Sequence, residues 1–482
     1  MRAIEPIARV LLSLACLAAL APSSRAQMSN PSSSSNPFYG SVTVQPVTGD
    51  ILKLSLDDAI RRGLDNNLGV REAVHLERNV HGLELEAVQE FLPTITLKGD
   101  TGIYQHNLAA QGFGPGVIDQ FKIFFPGGKI PPGLSVITKD TMTEGQLQYK
   151  QTLFSGPVIA GWKAAVAAEK SYYFSKMSAR GEVVQQVADS YLKAIADSSQ
   201  VDNARALEQA DKVAYDNAHA QHLAGTAANL DELRAQVQLQ TQQQTLISAQ
   251  NTLDKDLILL KREIGIAPGQ DIVLTDPAPY SDLADETPDE ARAIAYKNRQ
   301  DYQNLQNQVI ELKAERTAYR AERLPTVSVQ GYWGVTNVTG IGANSNFAAQ
   351  GTISVPLFRE ASIRGNVDAA EANLNAVIQQ LADLRGHIDQ QVRSALLDVA
   401  SNRRLVEVAR SNVELATRAL SDETDRVNSG VDDNLPLVTA QASLASAQSN
   451  LVQSLYQYNT SKLALARASG IVEQQYRVYL GK

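Results

Sequence analysis

The feature that most constrains this chain is an internal duplication. The segment FLPTITLKG (91–99) recurs as RLPTVSVQG (323–331), and the residues before both segments align at the same offset of 232 without a gap. Self-similarity of this kind is typical of a structural unit repeated in tandem. The sequence therefore predicts a first repeat at 52–268 and a second repeat at 287–472 with the same fold.

Both repeats show the same order of patterns: helix, strand, loop, strand, long helix, turn, long helix. Beyond the first strand the offset is 204 and later 205, so Leu153 matches Leu357 and Gly225 matches Gly430. The loss of 28 in offset falls between residues 104 and 146, a stretch rich in Gly and Pro. The first repeat therefore has the longer loop at this point.

The predicted boundaries follow from these patterns. In the first repeat we expect strands at about 92–104 and 141–154 and long helices at about 157–222 and 227–266. In the second repeat we expect strands at about 325–336 and 347–358 and long helices at about 360–427 and 434–470. The remaining segments are an N-terminal linker at 27–51, an inter-repeat linker at 269–286 and a C-terminal tail at 473–482.

The long helices predict a coiled coil. A helix of about 60 residues is about 90 Å long at 1.5 Å per residue, and periodic patterns beyond about 25 residues are typical of coiled coils. Leucine or tyrosine recurs every seven residues along the last helix of each repeat, at Leu239, Leu246, Leu253 and Leu260 and at Leu437, Leu444, Leu451, Tyr458 and Leu465.

The strands alternate apolar and polar residues, and each is about ten residues long, which suits a tilted transmembrane strand. A half-buried sheet packed on helices has the same period, so the pattern leaves both alternatives open. Four strands do not close a pore, so a membrane sheet requires several copies of the chain. The expected lipid-facing residues are Val327, Val329, Trp333, Val335, Ile353 and Val355.

Residues 1–26 have the pattern of a secretory signal, with basic residues, an apolar run and Ser24-Arg25-Ala26 at the expected cleavage site. The apolar run is too short to span a bilayer. Cys16 is the only cysteine and lies inside this run, so lipid attachment is the minor alternative. Without it, the exported chain has no thiol for a disulfide or a metal.

Composition argues against nucleic-acid binding and enzymatic activity. The net charge of −8 provides no basic surface for a polyanion. The six histidines are scattered, and we interpret His219 and His222, which share a helix face with no paired acid motif nearby, as surface residues. No nucleophile–base set or phosphate loop is present. We therefore expect no enzyme, no cofactor and no metal.

The chain resembles the TolC-like outer-membrane efflux protein family from about residue 54 to residue 472. The resemblance is carried by an ordered set of motifs that occurs twice, namely LSLDDAIRRGLDNN (54–67), the two Leu-Pro strand openings, QTLFSG (151–156) with VPLFRE (355–360), and LAGTAANLDELRAQ (223–236) with NSGVDDNLPLVTAQ (428–441).

The resemblance implies a mainly α fold with membrane β structure. Each chain of a homotrimer would give four strands to a twelve-stranded composite barrel in the outer membrane and its helices to a long coiled-coil tunnel in the periplasm. The trimer would be the exit duct of a tripartite efflux or type I secretion system, and it would conduct substrates passively. Its partners would be a periplasmic adaptor, an inner-membrane pump and outer-membrane lipid.

The resemblance also implies a docking site for the adaptor at the ends of the two helical hairpins, comprising Gly225, Leu230, Leu233, Arg426, Gly430, Leu435 and Leu437. Some family members close the tunnel with acids six and nine residues after the second glycine, but Pro436 and Thr439 stand there in this chain. Asp231, Asp432 and Asp433 are candidate entrance acids, or simply acids that favour the start of a helix.

The alternative function is a soluble periplasmic coiled-coil adaptor or scaffold. Such a protein would show one helical hairpin flanked by β-rich modules. The sequence instead shows two hairpins, each preceded by its own pair of strands.

Overall fold

The computed structural model describes residues 33–42, 44, 46–107, 116, 120, 123, 127, 137–226, 228–277, 280–284, 286–338, 342–429 and 434–481. The predicted signal, Cys16 and most of the 105–145 loop lie outside these residues. No described helix is long and apolar enough to cross a membrane.

In each repeat a pair of strands is followed by two long helices, but the single helix predicted before the strands is two consecutive helices preceded by a short strand. The first repeat contains β1 (Leu52–Leu54), α1 (Leu56–Asn66), α2 (Leu68–Gln89), β2 (Thr94–Asn107), β3 (Ile137–Phe154), α3 (Gly156–Leu223) and α4 (Asn229–Ile264). The second contains β4 (Ile272–Leu274), α5 (Pro288–Asn298), α6 (Gln300–Ala321), β5 (Thr326–Val338), β6 (Gly342–Ser354), α7 (Glu360–Asn428), α8 (Asn434–Ala468) and α9 (Val472–Leu480).

The described chain divides into two compact units. The first unit comprises residues 81–167 and 310–375 and contains a four-stranded antiparallel sheet in the order β2-β3-β5-β6. The sheet is built from both repeats, because β3 of the first repeat pairs directly with β5 of the second. One edge is β2 and the other is β6.

The second unit comprises residues 33–80, 168–309 and 376–481 of the described chain. Its core is formed by the helices of both repeats, with Tyr191, Leu260 and Leu465 fully buried. The short strands β1 and β4 pair in parallel, and the Tyr191 hydroxyl donates a hydrogen bond of 2.9 Å to the Leu54 carbonyl at this pair. Neither short strand was predicted, because three-residue strands carry no periodic signal.

The C-terminal segment forms a helix, although its sequence predicted only a tail at 473–482. In α9 the side chains of Val472, Tyr479 and Leu480 are buried in the core of the second unit. Tyr476 donates a hydrogen bond of 2.8 Å to Asp57, which lies at the start of α1. The segment is therefore an integral part of the fold.

The same residue types begin and end equivalent helices in the two repeats. Ser55 caps α1 by accepting a hydrogen bond from the Asp58 amide, and Thr287 forms a capping box with Glu290 at α5. Gly265 ends α4 at φ 78°, and Gly470 follows α8 at φ 74°. Both glycines adopt the left-handed conformation that favours Gly at this position.

The inter-repeat linker contacts both long helices of the second repeat. The Arg410 guanidinium on α7 lies 3.6 Å from the centre of the Tyr280 ring. On α8, Lys462 donates a hydrogen bond of 3.1 Å to the Ser281 carbonyl, and the Tyr458 hydroxyl accepts one of 3.3 Å from the Leu283 amide. We call residues 280–283 with these contacts the linker strap.

Glu263 on α4 is a carboxyl group inside the second unit. Its side chain is fully buried, Gln186 donates a hydrogen bond of 3.0 Å to Oε1, and Oε2 has no partner among the described residues. Burial raises the pKa of Glu263 to about 8, and the nearby Asp189 carboxyl adds to the shift. Glu263 is therefore protonated at neutral pH.

We expect Glu263→Gln to flatten the pH dependence of stability. An unfolded Glu loses its proton near pH 4.5 while the folded one keeps it to about pH 8. The free energy of unfolding should therefore fall by up to about 1.4 kcal/mol per pH unit across this window, and the variant should lose this contribution. Chemical unfolding followed by circular dichroism at pH 5 to 8 measures the slope.

The control for this experiment is Glu407→Gln, because Glu407 is exposed on α7. It should keep the slope of the unmodified chain. Burial also raises the pKa of Asp189 and Glu311 to about 7 and that of Asp197 to about 6, so a residual slope below pH 7 should remain in every variant, and the difference between variants measures Glu263. Equal slopes in Glu263→Gln and the unmodified chain would contradict the assignment.

Candidate functional site

The turn between α3 and α4 is formed around Gly225. Gly225 has φ 73° and donates a hydrogen bond of 2.9 Å from its amide to the His222 carbonyl. The Thr226 amide donates one of 2.9 Å to the Gln221 carbonyl. These bonds satisfy carbonyl groups that the end of α3 would otherwise leave free. The glycine thus ends one long helix and allows the next to begin.

Large apolar side chains next to this turn are exposed. Leu230, Leu233 and Val237 lie on one face of α4, with spacings of three and four residues, and all three are exposed. Leu223, the last residue of α3, is exposed as well. We call Leu230, Leu233 and Val237 the tip stripe. Clustered apolar side chains in water are typical of a surface that binds another protein.

A histidine–glutamate cluster, which the sequence analysis missed, links the two helices beside the turn. His219 Nδ1 lies 2.8 Å from Glu232 Oε1, and His222 Nδ1 contacts the other oxygen, Oε2. Hydrogen bonds from both histidines hold the pKa of Glu232 below its ordinary value. Both imidazoles remain solvent-accessible, in agreement with their interpretation as surface residues, but the expectation that no acid lies beside them was wrong.

A signal for this cluster was present in the sequence. In a helical hairpin, residues at similar distances before and after the turn lie side by side. His219 lies six residues before Gly225 and Glu232 lies seven residues after it. Only the position of the turn, and not any local motif, identifies the pair.

The other predicted tip residues have the following surroundings. Asp231 contacts Arg234 at 3.6 Å within α4, and Arg426 contacts Glu423 at 3.8 Å within α7. Leu437 is half-buried on α8. Gly430, Asp432 and Asp433 lie outside the described residues, as does the side chain of Leu435.

One face of the four-stranded sheet carries a network of polar side chains. Gln148 donates a hydrogen bond of 3.1 Å to Gln146, which donates one of 3.0 Å to Glu144. Across the strands, Thr336 donates one of 3.2 Å to Glu144 and accepts one of 2.7 Å from Asn346. Amide and hydroxyl groups dominate this face, as expected of a surface in contact with water.

The opposite face is apolar and uncovered. Leu97, Leu147, Trp333 and Phe347 are successive partners across the four strands and form one row, which we call the apolar row. All four side chains are exposed, and Leu97 is exposed to 80%. Among the residues predicted to face lipid, Trp333, Val335 and Ile353 are exposed, and Val327 and Val329 are half-buried. Val355 is exposed as well, but it lies one residue beyond the end of β6, because this strand spans 342–354 rather than the predicted 347–358.

The exposure of the apolar face favours a transmembrane sheet over a half-buried sheet packed on helices. A sheet packed on helices would bury its apolar face. Within the described residues the apolar face is open, and the polar face has its own hydrogen-bond network.

The comparison with known proteins agrees with these surfaces. The model of the outer membrane efflux protein family matches residues 60–265 and 292–471, one segment in each repeat. The chain belongs to this family. The soluble adaptor or scaffold considered as an alternative is thereby excluded, and the protein is an outer-membrane efflux channel. The family is a class of transport proteins rather than enzymes.

Individual relatives have low sequence identity to this chain, but the matches cover about 70% of its length. The chain is 23% identical over 367 residues to a probable efflux pump outer membrane protein, SepC, of Pseudomonas putida, and the match covers 72% of each chain. It is 22% identical over 341 residues to the alkaline protease secretion protein AprF of Pseudomonas aeruginosa, covering 68% of this chain and 69% of the relative.

Solved structures share the fold. A membrane protein from Pseudomonas aeruginosa superposes with a TM-score of 0.71 at 18% identity and covers 94% of this chain and 100% of its own. The open state of the MtrE outer membrane channel of Neisseria gonorrhoeae gives 0.70 at 15% identity and covers 90% and 95%. The predicted fold class, a mainly helical channel with a duplicated strand–hairpin unit, is therefore confirmed.

We expect Glu232→Gln to loosen the end of the first hairpin. The amide lacks the negative charge that attracts both histidines, so the contact between α3 and α4 weakens. Hydrogen exchange of the backbone amides at 219–233 should become several-fold faster. Asp231→Asn is the matched control, because Asp231 contacts only a residue of its own helix among its described ion pairs. Equal exchange in the two variants would contradict the role of Glu232.

Proposed function

We propose that three copies of this chain form a homotrimer that conducts substrates passively from the periplasm to the exterior. Each copy would give its four strands to a twelve-stranded barrel in the outer membrane and its long helices to a periplasmic tunnel. The observation that carries the proposal is the sheet itself, which within the described residues has an open apolar face, a polar face and two unpaired edges.

The edges support closure by several copies. In hydrocarbon, every backbone amide and carbonyl needs a partner within the protein, so only closed sheets are stable there. Strands β2 and β6 have 14 and 13 residues, enough for a tilted strand to cross a bilayer. Each has only one neighbouring strand among the described residues of its own chain. Joining β6 of one copy to β2 of the next satisfies both edges.

The two faces support the orientation of the sheet. The apolar row and the residues Val327, Val329, Trp333, Val335, Ile353 and Val355 would contact outer-membrane lipid. The network around Glu144 and Gln146 would line a water-filled interior, as polar side chains do in barrels that conduct.

We expect Leu97→Lys to impair assembly in the membrane and Gln350→Lys to be tolerated. Both residues are exposed in the sheet, but Leu97 lies in the apolar row and Gln350 on the polar face, bonded to Gln330. A lysine facing lipid near the midplane costs about 2–4 kcal/mol. Immunoblots of outer membranes should show fewer heat-modifiable trimers for Leu97→Lys only. Recovery of the unmodified chain in the soluble periplasmic fraction would overturn the proposal.

We infer that the hairpin ends dock a periplasmic adaptor, which connects the channel to an inner-membrane pump. The exposed tip stripe beside Gly225 supports this inference for the first hairpin. By the duplication, Arg426, Gly430, Leu435 and Leu437 would provide the equivalent surface of the second. Asp231, Asp432 and Asp433 would place negative charge at the entrance.

We expect Leu233→Glu to reduce transport without reducing the amount of trimer. The substitution puts a charge into the tip stripe, so a partner would have to bury it at a cost. Gln244→Glu is the control, because Gln244 is exposed on the same helix, about three turns from Leu233. Accumulation of a pump substrate in cells measures transport. Normal export by Leu233→Glu at normal trimer levels would contradict docking at this stripe.

A further inference from the structure

The two repeats share the register of their strand pairs as well as their fold. In the first repeat, Leu97 of β2 lies opposite Leu147 of β3. The equivalent residues of the second repeat, at the offsets of 232 and 204, are Val329 and Gly351. These two residues lie opposite each other in β5 and β6. Residues that pair in the first hairpin are therefore equivalent, by these offsets, to residues that pair in the second.

The sheet contains one further junction, between β3 of the first repeat and β5 of the second. There Leu147 lies opposite Trp333 and Gly145 opposite Val335. Among the described residues, β6 of the second repeat does not pair with β2 of the first repeat, so a second junction of this kind is not formed within one chain. Both strands are edges of the sheet.

We propose that β6 pairs with β2 of the next copy in the register that the junction between β3 and β5 defines. The same offsets place Gly351 opposite Thr101 of the next copy, and Ala349 opposite Ile103 of the next copy. They also place Ile353 opposite Gly99 of the next copy. This inference rests on the proposed trimer and specifies its subunit contact.

The exposure of one repeated motif supports a second copy as the occupant of this edge. Phe154, at the end of β3, lies opposite Val327 of β5 and is exposed to 40%. Its equivalent after β6, Phe358, is exposed to 91%, and Leu357 to 93% where Leu153 has 55%. The motif is thus more covered where the following repeat is in the same chain. The proposed register places Phe358 opposite Ile95 of the next copy.

The register also keeps the faces of the sheet continuous. Ala349 lies on the same face of β6 as Phe347, and Ile103 lies on the same face of β2 as Leu97, so the proposed pairing keeps the apolar face on one side of the junction. A shift by one residue would turn every side chain of one strand to the other face. A shift by two residues would preserve the faces, so the experiment must distinguish the proposed register from this one.

Four double-cysteine variants make this distinction. Gly351→Cys with Thr101→Cys and Ala349→Cys with Ile103→Cys are matched pairs, whereas Gly351→Cys with Ile103→Cys and Ala349→Cys with Thr101→Cys are shifted by two. Each substitution occurs once in each class, so differences in thiol reactivity cancel. A side chain added at Gly351 enters open space, because no atom lies within 4 Å of where its Cβ would stand, and Thr101 and Ile103 are exposed.

A disulfide in these variants reports on contact between copies. Within one chain, β3 and β5 separate the two edges, which puts them about 14 Å apart at 4.7–4.9 Å per strand. A disulfide requires Cα atoms within about 7 Å of each other. Directly opposite residues have Cβ atoms about 5 Å apart, and residues shifted by two about 7–8 Å apart.

We expect oxidation in isolated outer membranes to link the matched pairs into dimers and trimers on non-reducing gels, with yields at least several-fold above those of the shifted pairs. Single-cysteine variants and the unmodified chain, whose only cysteine is Cys16, are the controls. Trimers on native gels without links at the matched pairs would overturn the register and leave the trimer intact. Absence of any oligomer would overturn the proposed function as well.

Discussion

The hydrogen-bonding capacity of two strand edges governs the rest of this structure. Strands β2 and β6 each have one side of the backbone that pairs with no other strand in the part of the chain that the structure describes. In water such edges are a liability that proteins cover or disrupt. In a membrane they are untenable unless the sheet closes. The open apolar face and the polar network on the other side suit a closed sheet, because closure separates lipid outside from water inside.

Periodic features of the fold could be predicted from the sequence, and features that depend on distant contacts could not. The alternation in Val327–Val335 and the seven-residue spacing of the leucines repeat over many residues. Each pattern therefore identifies a strand or a helix without knowledge of distant contacts. The pairing of β1 with β4 and the burial of α9 depend on residues about 220 or more positions away in the chain. No local pattern encodes such contacts.

The candidate site divides in the same way. The turn at Gly225 was predictable, because only a residue that tolerates positive φ suits it. The exposure of Leu230 and Leu233 was expected only through the family resemblance. The pairing of His219 and His222 with Glu232 was missed, because a salt bridge across a hairpin has no fixed spacing in sequence. It becomes visible only when the turn is used as the point of reference.

The two repeats have diverged where the linker strap lies. Tyr458 and Lys462 contact the strap, whereas the equivalent residues of the first repeat are Leu253 and Leu257. The strap is part of the linker that joins the two repeats covalently, and this linkage affects assembly. A ring of six separate half-size units would lose the translational and rotational freedom of six bodies, whereas three fused chains lose that of only three. Gene fusion would thus lower the entropic cost of ring formation. Rings would then form at a lower protein concentration.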